Sequence, residues 1–253
     1  MTRALLLFCL LATATCAHAQ ALRVQIEGAV RTPGIQTHAV GARLADAVIA
    51  AMPTDDAYAS GAVLTRRSAQ QAQIRLKAGL LHDLGVLAAS ADPALSAQAD
   101  ALASQVYALP VTGRVVTELS PRRLEMSPAA NLPLVDGDHV YFPRRPTQVR
   151  IVGAVVAPCV VPHAPLDDAL AYLSHCPVQG ADRDWLFVVQ PDGAVQKIGI
   201  ALWNRSEPQA LAPGATLYVP LPARQLRGLS GQFNAEFAAF LATQRPHAFG
   251  DSP

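Results

Sequence analysis

Two cysteines and two histidines lie close together in the second half of the chain, at Cys159, His163, His175 and Cys176. Two thiolates and two imidazoles are a ligand set that a tetrahedral zinc ion accepts. The alternative is a disulfide bond, the common use of a cysteine pair in an oxidising compartment. The spacing of 17 residues would close a short loop and contribute about 3 kcal/mol in the chain-entropy model. We predict the disulfide bond Cys159–Cys176 and no bound metal.

Acidic residues occur in close pairs, at Asp55–Asp56, Asp136/Asp138 and Asp167–Asp168. Paired carboxylates can carry out acid–base catalysis. However, the second pair flanks a turn glycine and the third precedes a predicted helix, where the helix dipole favours negative charge. The sequence contains no G-x-S-x-G nucleophile motif, phosphate-binding loop or H-E-x-x-H helix. These observations favour a protein that is not an enzyme and needs no cofactor.

Arg114 is the candidate residue for contact with a ligand or a partner. It follows Gly113, where a predicted helical insertion ends and the chain returns to a predicted sheet. A guanidinium there could bind a carboxylate or an acidic sugar through two parallel hydrogen bonds. The alternative is a structural ion pair or a solvated side chain, because most arginines are exposed. Arg122–Arg123 and Arg144–Arg145 are assigned to a loop and to a linker, outside the site.

Residues 1–19 have the pattern of a secretory signal peptide. Arg3 supplies a positive charge, an apolar run follows, and the Ala-His-Ala sequence at 17–19 offers a cleavage site. The apolar run is too short to span a bilayer. We therefore predict cleavage after residue 19 and a periplasmic mature chain, with lipidation at Cys16 as the alternative.

The remainder of the chain contains an internal repeat. VQIEGAVRTPGIQTHAVGARLADAVIA, residues 24–50, is similar to VRIVGAVVAPCVVPHAPLDDALAYL, residues 149–173. In each copy an alternating strand leads into Gly-Ala-Val, a proline turn, a second strand and a helix. The copies also end alike, at 136–146 and 213–223, with a turn and an alternating strand closed by proline. Two copies of one structural unit are therefore expected.

The first copy contains an insertion. Gly28 and Gly153 are 125 positions apart, whereas Gly137 and Gly214 are only 77 apart, so the first copy is 48 residues longer. The additional residues must form structure of their own between the helix and the last strand of the first unit.

The inserted residues have the spacing of two helices. Apolar residues recur every three or four positions through 66–88 and again from Leu95 to Leu109. Asp92-Pro93 has the residue types of an N-cap and a first helical position. We predict a helical hairpin at 65–109, and both of its apolar faces need a surface to pack against.

The elements of each unit follow the order β-β-α-β-β and a final strand. In the second unit two alternating segments flank Pro191-Asp192-Gly193, which predicts a β-hairpin. A mixed sheet with one helix is the arrangement of a β-grasp, ubiquitin-like fold. We predict an α+β protein with tandem β-grasp units at residues 21–146 and 147–223.

Residues 224–245 are predicted to form one amphipathic C-terminal helix. Its apolar residues follow helical spacing: Leu226, Leu229, Phe233, Phe237 and Phe240. The stiff segment 220–222, Pro-Leu-Pro, keeps the start of the helix beside the second unit. We expect the helix to pack on the second unit and the hairpin of a monomer. The alternative is a lipid-exposed helix in a membrane pore, which the predicted length allows.

The order of these motifs resembles a known family. G-x-V-x-x-P-G at 28–34, L-x-x-A-V at 44–48 and G-D-x-V-x-F-P at 137–143 are similar to the soluble-ligand-binding β-grasp units of Wza-like polysaccharide export proteins. The doubled unit, the helical insertion and the C-terminal helix resemble the GfcC-like capsule biosynthesis family. The second copy departs from the motif at Cys159, where the first has Gly34, so its turn should have a different geometry.

The resemblance implies a periplasmic, non-catalytic protein that assists assembly or export of capsule or exopolysaccharide. Its partners would be the export machinery or the glycan. A formal net charge of +1 gives no general attraction to nucleic acid. The alternatives are a subunit of an outer-membrane export pore, a small-ligand-binding protein and a glycan-active enzyme.

Overall fold

A computed structural model of the chain describes residues 21–229 and 231–246, and the predicted signal peptide lies outside these ranges. The strands are β1 (Leu22–Gly28), β2 (Gly34–His38), β3 (Val63–Thr65), β4 (Arg114–Val115), β5 (His139–Phe142), β6 (Gln148–Gly153), β7 (Cys159–Pro162), β8 (Trp185–Val189), β9 (Val195–Gly199) and β10 (Thr216–Val219). The helices are α1 (Leu44–Ala51), α2 (Arg67–Ala88), α3 (Pro93–Ala108), α4 (Pro121–Met126), α5 (Ala169–Leu173) and α6 (Phe233–Ala242), with 3₁₀ turns at Ala59–Gly61 and Ala223–Leu226.

The strands form two mixed five-stranded sheets with the same topology. The orders are β2-β1-β5-β3-β4 in the first unit and β7-β6-β10-β8-β9 in the second. In each sheet the first strand pairs antiparallel with the second and parallel with the last. The predicted α+β class is confirmed, and the internal repeat corresponds to two units of equal topology.

The two glycines that anchor the repeat have the same structural role. Gly28 and Gly153 end β1 and β6 with φ angles of +92° and +104°. A Cβ atom on Gly28 would overlap the carbonyl oxygen of Phe142, and one on Gly153 would overlap that of Val219. Glycine is required at both positions because the last strand of each unit passes against the backbone there.

The inserted residues form a helical hairpin. α2 and α3 pack against each other, and Asp92 caps α3 by accepting a hydrogen bond from the Ala94 amide at 2.9 Å. Their buried leucines belong to the hydrophobic core of the second unit, not of the first. The hairpin therefore leaves one unit and covers the other.

The chain after β10 differs from the prediction of one helix over 224–245. A 3₁₀ turn ends at Leu226, Gly228 has a φ angle of +94°, and α6 begins only at Phe233. Gly228 and Gly231 end the helical pattern in the sequence, because glycine is a weak helix former that accepts a left-handed backbone. Among the described residues, no helix is both long and apolar enough to cross a membrane.

α6 packs on the protein itself. Phe233, Phe237 and Phe240 are buried in the same core as the hairpin leucines. Phe237 stacks on Tyr218 of β10, with ring centroids 4.6 Å apart and ring planes 3° from parallel. α6 also contacts α2 and β8. It therefore packs between the helical hairpin and the second sheet, the position predicted from the sequence for the C-terminal segment.

The structure contains the predicted disulfide bond between Cys159 and Cys176. It links the first residue of β7 to the turn after α5, with the two Cα atoms 6.0 Å apart. Cys159 stands where the first unit has Gly34, whose φ angle is +113°. The second copy thus has a disulfide-bonded cysteine at the position where the first copy has a glycine with a positive φ angle.

Candidate functional site

Arg114 is buried at the junction of the two units. Its guanidinium donates hydrogen bonds to the carbonyl oxygens of Ala242 at 3.2 Å and Gln244 at 2.8 Å. It also donates to the carbonyl of Pro191 in the β8–β9 turn. The residue is 6% exposed. Arg114 therefore connects β4 of the first unit to α6 and to a hairpin of the second.

The surroundings of Arg114 are backbone carbonyls. Carbonyls at the C-terminal end of a helix carry partial negative charge, so a cation there is stabilised. Burial lowers the pKa of Arg114 to about 10, against the attraction of Asp192. Gln73 supports the strand by donating to the Arg114 carbonyl at 3.0 Å and accepting from the Gly113 amide at 2.7 Å. The guanidinium therefore hydrogen-bonds carbonyl oxygens of its own chain, an arrangement that is neither an ion pair nor a solvated side chain.

The paired carboxylates take part in structural contacts. Asp138 is 1% exposed and forms an ion pair with Arg66 at 2.7 Å. Asp56 pairs with Arg144 at 2.8 Å, and Asp168 caps α5 through the Ala171 amide at 2.9 Å. Each of these oxygens stabilises a turn, a helix end or a link between strands. One carboxylate of each pair therefore has a structural role.

The zinc alternative is excluded for the bonded cysteines, because a disulfide has no thiolate to offer. His163 also has a structural partner, since its Nε2 atom lies 2.9 Å from the carbonyl oxygen of Leu211. Among the described residues, no group of three or more His, Cys, Asp or Glu side chains is placed to hold a metal ion.

A large concave surface among the described residues is a groove between the two units, which we call the interunit groove. It consists of two adjoining clefts of about 440 and 470 Å³, both bordered by Ser60 of the first unit and Asp192 of the second. The β8–β9 turn divides them, because Gly193 of that turn packs against Val116. The turn predicted from Pro191-Asp192-Gly193 is therefore one of the contacts between the units as well as a hairpin connection.

The larger cleft combines an aromatic ring with charges of both signs. Tyr58, Arg145 and His163 line it together with Asp192. The Arg145 guanidinium lies 5.5 Å from the centroid of the Tyr58 ring. Burial raises the pKa of Tyr58, with Asp192 adding to the effect and Arg145 opposing it. An exposed guanidinium beside a tyrosine and a carboxylate can bind polar or acidic groups without any catalytic step.

The smaller cleft is lined mainly by the first unit. Glu118 accepts hydrogen bonds from the amides of Leu119 at 3.1 Å and Ser120 at 2.8 Å. It also pairs with Arg123 at 3.2 Å. Since Arg123 is largely exposed, this ion pair contributes little to stability and leaves the guanidinium accessible to the cleft.

Leu166 at the edge of the larger cleft has an unusual conformation. Its φ angle is +73° and the residue is 89% exposed. The equivalent residue of the first unit is Gly41, with a φ angle of +91°. A leucine in the left-handed region is strained and, when exposed, gains nothing from burial. Such strain is typical of binding surfaces.

Sequence reasoning missed most of the groove. The sequence assigns Arg145 and Arg123 to a linker and a loop, whereas the structure places both on the groove. Tyr58 is not part of any recognisable sequence motif. Asp192, which lines the same cleft, is distant from it in sequence. Only Leu166 gives a local signal, since it replaces a glycine of the repeat.

These features describe a two-unit α+β protein with a polar groove between its units. Comparison with known proteins agrees with this class. The family model "Capsule biosynthesis GfcC, N-terminal" matches residues 19–144, and "Capsule biosynthesis GfcC C-terminal" matches residues 157–246.

A curated relative supports the same assignment. The chain is 31% identical over 187 residues to the uncharacterized protein YjbG of Escherichia coli strain K12, covering 74% of this chain and 76% of the relative. The chain belongs to the GfcC capsule biosynthesis family, as the sequence motifs predict. The two family models match the two units separately.

Proposed function

We propose that this protein is a periplasmic, non-enzymatic factor that assists assembly or export of capsule or exopolysaccharide. The observation that carries the proposal is the match of both capsule biosynthesis models, one on each unit. A binding role is consistent with the fold, because one carboxylate of each acidic pair is engaged in a structural contact. Each unit is proposed to be a β-grasp, which is consistent with one helix on a mixed sheet whose first and last strands are parallel.

The interunit groove is the proposed place of contact with glycan or with an export partner. Arg145 and Asp192 offer charged groups on opposite units, so a ligand in the groove would contact both units together. Tyr58 adds a half-polar ring surface. This arrangement favours capture of a hydroxyl-rich or charged chain over chemistry on it.

An outer-membrane pore subunit is the competing function. A pore would need the C-terminal helix to face lipid, whereas Phe233, Phe237 and Phe240 are buried within the protein. α6 has 10 residues, about 15 Å of helix, while the hydrocarbon core of a bilayer is about 30 Å thick. These contacts favour the accessory role.

The groove can be tested by complementation of a deletion strain. Surface polysaccharide per cell is measured in strains carrying the wild type, Arg145→Glu or Arg75→Glu at matched protein levels. Arg75 is a suitable control because it is exposed on α2, away from the groove. We expect Arg145→Glu to restore less than half of the wild-type polysaccharide and Arg75→Glu to restore it fully. Full polysaccharide in the deletion strain itself would refute the proposed function.

Location is tested separately by fractionation. The predicted signal peptide should direct the chain to the periplasm, so osmotic shock should release a protein that begins at residue 20. Deletion of residues 2–19 should retain it in the cytoplasm and abolish complementation. Recovery of the intact chain in the cytoplasm would contradict the proposal.

A further inference from the structure

Both tryptophans of the chain lie at one exposed place on the second unit. Trp185 begins β8, and Trp203 lies in the loop after β9. Their ring centroids are 6.2 Å apart with planes at 88°. Trp203 is 72% exposed and its neighbour Leu202 is 92% exposed. We call Trp185 and Trp203 the tryptophan platform. An exposed indole beside an exposed leucine is unfavourable in water and indicates a contact surface.

The loop that carries Trp203 is held in place by hydrogen bonds. The Asn204 side-chain amide donates to the Asp184 carbonyl at 2.9 Å. Ser206 and Gly199 exchange two hydrogen bonds of 3.0 Å. A Cβ atom on Gly199 would overlap the Asn204 carbonyl, so glycine permits this close packing. The platform is therefore ordered before a ligand arrives, which lowers the entropy cost of binding.

The groups around the platform fit a sugar that carries a carboxylate. An indole has an electron-rich face on which the weakly positive C–H groups of a sugar ring can stack. The Lys197 ammonium lies 4.0 Å from the centroid of the Trp185 ring. Arg205 follows Trp203 by two residues and is also exposed. Both cations can pair with an acidic sugar, and the Asp184 carboxylate, 3.4 Å from Trp203 Nε1, orients the indole.

The platform adjoins the interunit groove along one side of the second unit. Arg205 and Ser206 border a pocket of about 80 Å³, which Gln190 and Leu211 also line. Gln190 and Leu211 in turn line the larger cleft of the groove. These shared lining residues place the loop that carries Trp203 close to the larger cleft of the groove. A long flexible polymer can reach both places, whereas a flat membrane would touch only the protruding loop.

We infer that the tryptophan platform is a binding site for an acidic polysaccharide, which stacks a sugar ring on Trp203 and continues toward the interunit groove. The inference rests on the proposed function and adds the ligand class and the place of first contact.

The two tryptophans provide the measurement, because intrinsic fluorescence reports the platform alone. The mature full chain is titrated with acidic surface polysaccharide extracted from a strain that carries the gene. Its carboxyl-reduced form, dextran, and vesicles of phosphatidylethanolamine and phosphatidylglycerol serve as comparison ligands. We expect the acidic polymer to change the emission, the reduced polymer to bind more weakly, and dextran and vesicles to have no effect.

Variants locate the contact by calorimetry. Trp203→Ala should weaken binding by about tenfold, whereas Trp203→Phe should retain most of the affinity. Tyr107→Ala is the matched control, because Tyr107 is 77% exposed and lies beside Lys77 on the hairpin. Circular dichroism and thermal melting verify that each variant folds.

Three results would overturn the inference. Equal affinity of the wild type and Trp203→Ala would place the glycan elsewhere, and the proposed function would survive. A response to vesicles but not to polysaccharide would assign the platform to a membrane surface. No polysaccharide binding by the wild type would refute the inference, while complementation of the deletion strain would still test the family role on its own.

Discussion

The two units share one topology, but the outer face of the sheet is exposed in the first unit and buried in the second. Glu27 on β1 is exposed, whereas Val152, at the equivalent position of β6, is 3% exposed. Tyr141 of the first unit lies beside the guanidinium of Arg245. Its counterpart Tyr218 is fully buried under Phe237. The sheet of the first unit is thus covered by the core on one face only, whereas the sheet of the second unit is covered on both faces.

The difference follows from where the additional helices pack. The hairpin is an insertion in the first unit, yet α2 and α3 share a core with the second sheet and α6. A sheet covered on both faces needs continuous apolar strands, and Leu186–Val189 are all buried. The first unit keeps alternation, with Val24 and Ile26 buried between more exposed neighbours. The helices inserted into the sequence of one unit can therefore complete the hydrophobic core of the other, without any change in the topology of either sheet.

The largest effect is expected from removing the cover of the second sheet. Phe237→Ala should lower the free energy of unfolding by about 3–5 kcal/mol, because it leaves a cavity under a buried aromatic stack. Arg245→Ala is the matched control, since it removes the ring contact of Tyr141 and should cost less than about 1 kcal/mol. Urea denaturation measures both. Similar small losses in the two variants would show that α6 does not stabilise the second unit.

The covalent link is the next difference between the units. Replacing both Cys159 and Cys176 by serine should lower the free energy of unfolding by about 3 kcal/mol. Reductant should destabilise the wild type to a similar degree and leave the double variant unchanged. If the unfolded, non-reduced protein titrates with two free thiols at these positions, the link is absent in the periplasmic protein.

Arg114 connects the units, and its loss should have an intermediate effect. Arg114→Ala should cost about 2 kcal/mol, because charge-assisted hydrogen bonds to carbonyls at the end of α6 are lost. Arg123→Ala removes an exposed ion pair and should cost less than about 1 kcal/mol. Chemical denaturation compares the two variants, and polysaccharide levels are compared at matched protein amounts. Equal stability would mean that Arg114 does not hold the junction.

The smallest effect concerns Gly41 and Leu166, the equivalent left-handed positions. Gly41→Leu should cost about 1–2 kcal/mol, because only the backbone conformation opposes it and a Cβ atom at this position would point into open space. Leu166→Gly should change stability by less than about 1 kcal/mol, since relief of strain is offset by the greater freedom of the unfolded chain. Thermal melting measures both exchanges. A large loss in Leu166→Gly would show that this leucine stabilises the fold.

Local patterns are sufficient to predict much of this structure. The repeat locates both sheets, and helical spacing with the Asp92 cap predicts the hairpin. The predicted C-terminal helix is too long, because Leu226 and Leu229 match helical spacing although glycines interrupt it. The partners of Arg114 at the end of α6 and just beyond it lie about 130 positions away in sequence. Groove residues such as Tyr58 and Asp192 meet only after both units have folded, so no local pattern identifies them.

α6 lies in the hydrophobic core of its own chain, and we propose that it does not form part of a membrane pore. The direct test is the mass of the mature protein, purified without detergent and measured by light scattering. We predict the mass of one chain, with α6 covering the second sheet. A ring-sized oligomer, or a requirement for detergent that disappears when residues 224–253 are deleted, would contradict it.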